Sequence, residues 1–213
     1  ARSEMCIRDR FMNRVNTGTF LSARAISRVA MLSVIGFLLM LIEVPILFIA
    51  PEFIKMDISE LPTLLGAFTM GPIYGVLICG LKNILHIVIR GTTTGGVGEL
   101  SNFIIGSVFA FVSASIYRKN KTYKRAIIGL TSGVLIMTAL SMVSNYYVIF
   151  PLYAKIIPME AIIGMGRAVS EKVTDLWSFM VYCILPFNLL KGLITSALMM
   201  LVYKKLSPIF KLG

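Results

Sequence analysis

The sequence is short of charge, of histidine and of cysteine, and each shortage removes a class of function. Only 15% of its 213 residues are charged, 57% are hydrophobic and the mean hydropathy is +0.84, which excludes a water-soluble domain. The single histidine, His86, stands in no acidic or cysteine cluster along the chain, so metal-ligand spacing is missing. Cys6, Cys79 and Cys183 are odd in number and far apart, which rules out a disulfide framework. Cys79 and Cys183 fall inside apolar stretches and read as core- or lipid-facing residues. A nucleotide site is missing too. Gly91 and Gly96 have P-loop spacing, but Val97-Gly98 stand where Lys-Ser/Thr is needed. No Gly-x-Gly-x-x-Gly follows a strand, so any ATP hydrolysis would have to come from a partner. An enzyme lacks its catalytic set: no paired intramembrane carboxylates, histidine cluster, or serine–lysine or serine–histidine motif at readable spacing. A channel lacks a repeated charged ring or filter.

What the chain does have is apolar stretches near the roughly 20 residues a helix needs to cross a bilayer. They predict an all-α integral membrane protein, one compact bundle of six transmembrane helices. The first span is expected over Val29–Ile49, with Glu43 and Pro45 making its far third polar or kinked. A signal peptide is the other reading of this stretch. Its apolar region would be only about 7–15 residues long and followed by a small-residue cleavage site, which does not fit. Leu61–Met70 is a short second helix, opened by Asp57 or Ser59 as N-cap and closed by Gly71-Pro72. A mere kink there would leave five spans. Ile73–Ile89, Leu100–Tyr117, Ala126–Tyr147 and Leu176–Tyr203 complete the set. The fifth is rich in small residues (Gly129, Ser132, Gly133, Ala139, Ser141, Ser144), as closely packed membrane helices prefer. A long connection, Phe150–Asp175, precedes the last span.

Residues 1–10 match nothing that follows and look like translated adaptor read-through, so they are set aside. Residues 11–28, with Arg14, Arg24 and Arg28, are expected to form a basic cytoplasmic lead-in, 29–205 the six-helix transmembrane bundle and 206–213 a cytoplasmic tail. The net charge of +11 reads as a topology signal, not a nucleic-acid surface, because the charges lie between spans. With six spans, Lys and Arg divide fourteen to five between the two sides, and eleven to five without the first ten residues. The positive-inside rule then predicts both termini in the cytoplasm. The Asp57 loop, the loop after Arg90 and the 150–175 connection share the outer face.

Two features of the spans invite a functional reading. Lys82, Asn83 and His86 lie on one helix face by their spacing. Ionisable groups in a span are costly and face the interior or water, so the trio is interior packing or the rim of a cavity. Between spans, Arg90-Gly-Thr-Thr-Thr-Gly-Gly-Val-Gly-Glu99 holds four glycines in eight residues, with three consecutive threonines. This is either a ligand-facing loop or an ordinary extramembrane turn. At membrane depth, such backbone is tolerated only inside protein or lining a cavity.

With Lys55-Met-Asp-Ile-Ser-Glu-Leu-Pro62, Gly66-Ala-Phe-Thr-Met-Gly-Pro72, Leu81-Lys-Asn-Ile-Leu-His86, Gly91-Thr-Thr-Thr-Gly-Gly-Val-Gly-Glu-Leu100 and Pro186-Phe-Asn-Leu-Leu-Lys-Gly192 in the same order, the chain resembles a known family. These are the riboflavin-specific S components of energy-coupling factor (ECF) vitamin importers, and the likeness covers about residues 25 to 205. It implies a cell-membrane subunit that captures riboflavin at the outer face, without a cofactor or metal. Its partners would be a transmembrane coupling subunit and two cytoplasmic ATPases. An S component for another vitamin is the alternative within the family. The resemblance puts ligand contacts at Lys55, Met56, Asp57 and Leu61, at Thr92, Thr93, Thr94, Gly95 and Gly96, at Asn145, and at Asn188 and Lys191. Asn188 and Lys191 are three apart and share a helix face. Lys191 can donate to a ring carbonyl or pair with a nearby carboxylate. The family's Ala-x-x-x-Ala docking pair has its best register here at Ala30 with Val34, supported by Ser33.

Overall fold

The computed structural model describes residues 22–92 and 94–211. The 1–10 segment, Arg14 of the basic lead-in, Thr93 and the last two residues lie outside the described residues. The chain folds as a bundle of helices. Among the described residues, five are long and apolar enough to cross a membrane: Ala23–Met40, Pro72–Arg90, Val97–Lys119, Tyr123–Tyr153 and Leu176–Tyr203.

Helix α1 (Ala23–Met40) starts where the Ser22 hydroxyl accepts the Ala25 N–H at 3.2 Å, so Arg24 and Arg28 belong to its first turns. It stops nine residues short of the Ile49 end expected from hydropathy. Glu43 and Pro45 end the helix instead of kinking it. Pro45 has no N–H for a helix and enters a two-stranded antiparallel ribbon, β1 (Val44–Pro45) with β2 (Lys55–Met56). Helix α2 (Glu60–Met70) follows. Ser59, one of the two expected residues, takes its N-cap position but makes no side-chain capping bond, and the Asp57 Oδ1 accepts the Ser59 N–H at 2.8 Å. At 11 residues α2 is about 16 Å long, too short to cross a bilayer core of about 30 Å alone.

The break at Gly71-Pro72 is a true helix boundary. Gly71 sits at φ 126°, a backbone region natural to glycine, and Pro72 opens α3 (Pro72–Arg90) at its first turn. Helix α4 (Val97–Lys119) and α5 (Tyr123–Ser144) form the tightest pair. A Cβ on Gly129 would lie 2.5 Å from the Ser113 carbonyl, and one on Gly133 2.9 Å from the Phe109 ring. The small residues noted in the fifth span therefore let two backbones close up. The span runs on through a π-helical turn (Asn145–Ile149) into α6 (Phe150–Tyr153), so the 150–175 connection begins later than expected. Within it lies α7 (Met159–Val169). A capping box between Asp175 and Ser178 starts α8 (Leu176–Phe179), and a π turn (Met180–Ile184) leads into α9 (Leu185–Lys211).

Two clusters hold the bundle. At one end Phe68 of α2 stacks on Tyr117 of α4 with centroids 4.5 Å apart. The Tyr117 ring meets Tyr203 of α9 edge-on at 5.8 Å, and Tyr123 of α5 packs on Tyr203 at 6.3 Å. At the other end Phe53 of the 41–59 loop lies among Phe150, Tyr153 and Phe179, with centroids 5.9–6.5 Å away. The space between the clusters is where polar side chains gather.

Candidate functional site

Helix α3 turns one face fully inward: Cys79, Lys82, Asn83 and His86 are all buried. Hydropathy alone left this trio between packing and cavity rim. Lys82 is completely buried, and its Nζ donates to Glu60 Oε1 and Ser59 Oγ, both at 2.6 Å. His86, one turn further along, has Nδ1 3.1 Å from Glu99 Oε1, a carboxylate in the first turn of α4. A carboxylate thus does face the histidine, which the sequence pattern did not reveal. Asn83 donates to the Cys79 carbonyl at 2.7 Å. Across the bundle, Lys191 Nζ reaches Asp57 Oδ2 at 3.0 Å and Asn102 Oδ1 at 3.4 Å.

These pairs surround a cavity of about 290 Å³, near the lower end of small-molecule sites. Asp57, Glu60, Asn188 and Lys191 line it together with Phe109, Phe187 and Met137. Higher up it is lined by His86, Glu99, Thr94, Tyr153 and Phe53, and at its mouth by Glu43, Lys55 and Arg90. Glu43 Oε1 ties the mouth together, 2.9 Å from Lys55 Nζ and 2.8 Å from Arg90 Nη2. Glu43, Asp57 and Glu60 each have a cationic partner, and Glu99 is met by His86 and by the Thr92 and Thr94 hydroxyls. Charges this buried are costly unless paired, so pairing neutralises most of the wall, which suits a neutral polar molecule.

Of the residues assigned from sequence, Lys55, Asp57, Thr94, Asn188 and Lys191 meet at this cavity. Lys191 takes the carboxylate pairing that was one of its two readings. Asn188 is 5% exposed and donates to the Ile184 carbonyl at 2.9 Å; its amide oxygen carries no hydrogen bond among the described residues. Met56, Leu61, Thr92, Gly95, Gly96 and Asn145 are not among the lining residues, and each has a physical reason. Met56 is half-buried in the ribbon, and Leu61 packs on the apolar core shared by α2, α4, α5 and α9. The Thr92 hydroxyl accepts the N–H groups of Thr94 and Gly96 at 3.2 and 2.8 Å and donates to Glu99 Oε2 at 3.2 Å. Gly95 and Gly96 take φ of 62° and 86° to swing the chain into α4. Much of the threonine–glycine loop therefore serves as a helix cap. Asn145 donates to the Ser141 carbonyl at 2.7 Å within its own helix.

The docking triad is also divided. Ala30 and Val34 are exposed on α1, but Ser33 is 1% exposed and donates to the Val29 carbonyl at 2.7 Å. Three residues from Ala30, it points into the bundle and is no part of an outer patch.

The sequence reading missed Glu43, Phe53, Glu60, Glu99, Asn102 and the phenylalanine walls. A usable signal existed for the acids, since carboxylates beside apolar spans need buried cations, and Lys82 and Lys191 were the candidates. Nothing local marks Phe109 or Phe187 as wall residues rather than core.

Comparison with known proteins agrees with this architecture. The family described as "ECF transporter, substrate-specific component" matches residues 24–203. The chain is 32% identical over 183 residues to the riboflavin transporter RibU of Staphylococcus aureus (strain TCH60), covering 86% of this chain and 90% of that protein. It is 33% identical over 181 residues to the riboflavin transporter FmnP of Bacillus subtilis (strain 168), covering 84% and 90%. The solved structure of the S component of a bacterial ECF transporter superposes with a TM-score of 0.70 at 31% identity, covering 89% of this chain and 98% of that one.

Proposed function

Because the chain belongs to the substrate-specific components of ECF transporters, we propose that its cavity captures riboflavin at the outer face of the cell membrane for ATP-driven import. The family makes it the substrate-binding membrane subunit of a transporter, not an enzyme. One observation carries the choice of riboflavin: Asn188 and Lys191 stand in the wall of an aromatic-lined cavity in a chain whose relatives are riboflavin transporters. Isoalloxazine is flat and apolar across its faces, which suits Phe109 and Phe187. Its edge carries carbonyl and N–H groups, which an amide and an ammonium can meet. The ribityl hydroxyls suit the upper wall, where Thr94, His86 and Glu99 offer hydrogen-bonding groups.

Titration calorimetry of the detergent-solubilised protein, with and without a chelator, should show one riboflavin per chain and no need for ATP or metal. Absence of both heat and flavin fluorescence quenching would discard riboflavin as the ligand.

For topology, α2 together with the 41–59 loop forms a sixth crossing in this reading, the loop taking the outer half and α2 the inner. Both termini then lie in the cytoplasm, as the eleven-to-five division of basic residues requires. In a Cys6→Ser background, a cysteine at the exposed Glu160 should react with an impermeant reagent in intact cells, and one at the exposed Lys121 should not. The reverse pattern would reject this topology. The bound riboflavin is then delivered through a transmembrane coupling subunit driven by two cytoplasmic ATPases.

A further inference from the structure

We propose that Glu60 is the acceptor that reads the ring N–H of the ligand, so that the cavity selects planar rings whose edge runs carbonyl, N–H, carbonyl. This deepens the riboflavin reading and rests on it. Glu60 lines the cavity and is only 3% exposed. Its Oε1 takes the Lys82 ammonium at 2.6 Å, but its Oε2 is buried with no partner among the described residues. A carboxylate oxygen left without a donor in such a place is costly. A ligand that brings an N–H removes that cost with a charge-assisted hydrogen bond.

The surrounding residues aim the carboxylate. Lys82 grips Glu60 and Ser59 together from behind and is itself fully buried; it positions the carboxylate and does not line the cavity. Gly106, a lining residue of α4, lets the carboxylate close against that helix: a Cβ there would lie 2.5 Å from both Glu60 oxygens. An edge that alternates acceptor, donor, acceptor needs donor, acceptor, donor from the protein. Lys191 and Asn188 carry N–H donors on the same cavity wall, and Glu60 supplies the acceptor. The amide oxygen of Asn188 is the rival acceptor.

The test compares riboflavin with riboflavin methylated at the ring imide nitrogen, by fluorescence quenching on the whole protein in detergent. The wild type should prefer riboflavin by about tenfold or more. Glu60→Gln keeps an oxygen for Lys82 but can turn an N–H toward the ring. It should weaken riboflavin roughly ten- to hundredfold and bind the two flavins alike. A purely structural role would lower both affinities together and leave the preference unchanged, which would overturn the proposal. So would a wild type that binds both flavins equally. If Glu60→Gln does not fold, Glu60→Gln/Lys82→Met removes both charges, strands neither, and carries the same comparison. Failure of riboflavin itself to bind the wild type would sink the riboflavin reading instead, so the two failures are distinguishable.

Discussion

Replacing Lys191 with methionine should both lower the melting temperature of the ligand-free protein and abolish measurable riboflavin binding. The first effect follows from the pairing. Lys191 Nζ lies 3.0 Å from Asp57 Oδ2, with the two side chains 12% and 7% exposed. Removing one partner strands the other charge, at about 3–5 kcal/mol for a buried pair. A change at Lys191 alone therefore cannot separate ligand recognition from folding, although its position on a shared face with Asn188 suggests that it would. The double variant Asp57→Asn/Lys191→Met makes the separation. With neither charge stranded, most of the thermal stability should return, while the ring loses its ammonium donor and stays unbound. Asn188→Ala supplies the contrast. Its one protein bond is to the Ile184 carbonyl in its own helix, so ligand-free stability should fall by only about 1 kcal/mol. Binding should weaken roughly ten- to hundredfold. Dissociation constants and melting curves on the same preparations decide. Wild-type affinity in the double variant would remove Lys191 from the site.

The bundle was legible because hydropathy and breaker residues are local signals. Gly71-Pro72 marked a boundary that the backbone obeys, and the small residues of the fifth span marked its contact with α4. Hydropathy overreached at Ile46–Ile49, where an apolar stretch after Glu43 and Pro45 belongs to a folded loop and not to a helix. The reason is long-range: Glu43 is drawn to Arg90, 47 residues away in sequence. The same limit governed the site. Asn188 and Lys191 were marked by the family resemblance and by their shared helix face, and both line the cavity. The glycine–threonine loop stood out by composition, yet most of it closes the end of α4, because hydroxyls that can meet a ligand can equally meet free backbone N–H groups. Glu60 and Glu99 were invisible as wall residues, since each is defined by a basic side chain on another helix.

Ala30→Trp should stop riboflavin import and leave riboflavin binding and the melting temperature unchanged. Ile26, Ala30, Val34 and Leu38 repeat every four residues on α1 and form one outward row. Ile26, Val34 and Leu38 are 50%, 47% and 52% exposed, so Ala30 is a notch in an apolar ridge. Membrane helices associate by close packing over small residues, and a partner's ridge seated in that notch would be displaced by an indole. Lipid would not be, since acyl chains rearrange around a tryptophan at little cost. The change therefore discriminates a docking surface from a lipid-facing one. Ser33→Trp is the control for a fold effect: Ser33 is buried and bonded to the Val29 carbonyl, so a bulky side chain there should lose stability, binding and import together. Vesicles containing the coupling subunit and both ATPases would report uptake, and the isolated subunit would report binding. Normal uptake by Ala30→Trp would show that this row faces lipid, and the coupling subunit would have to meet the bundle elsewhere.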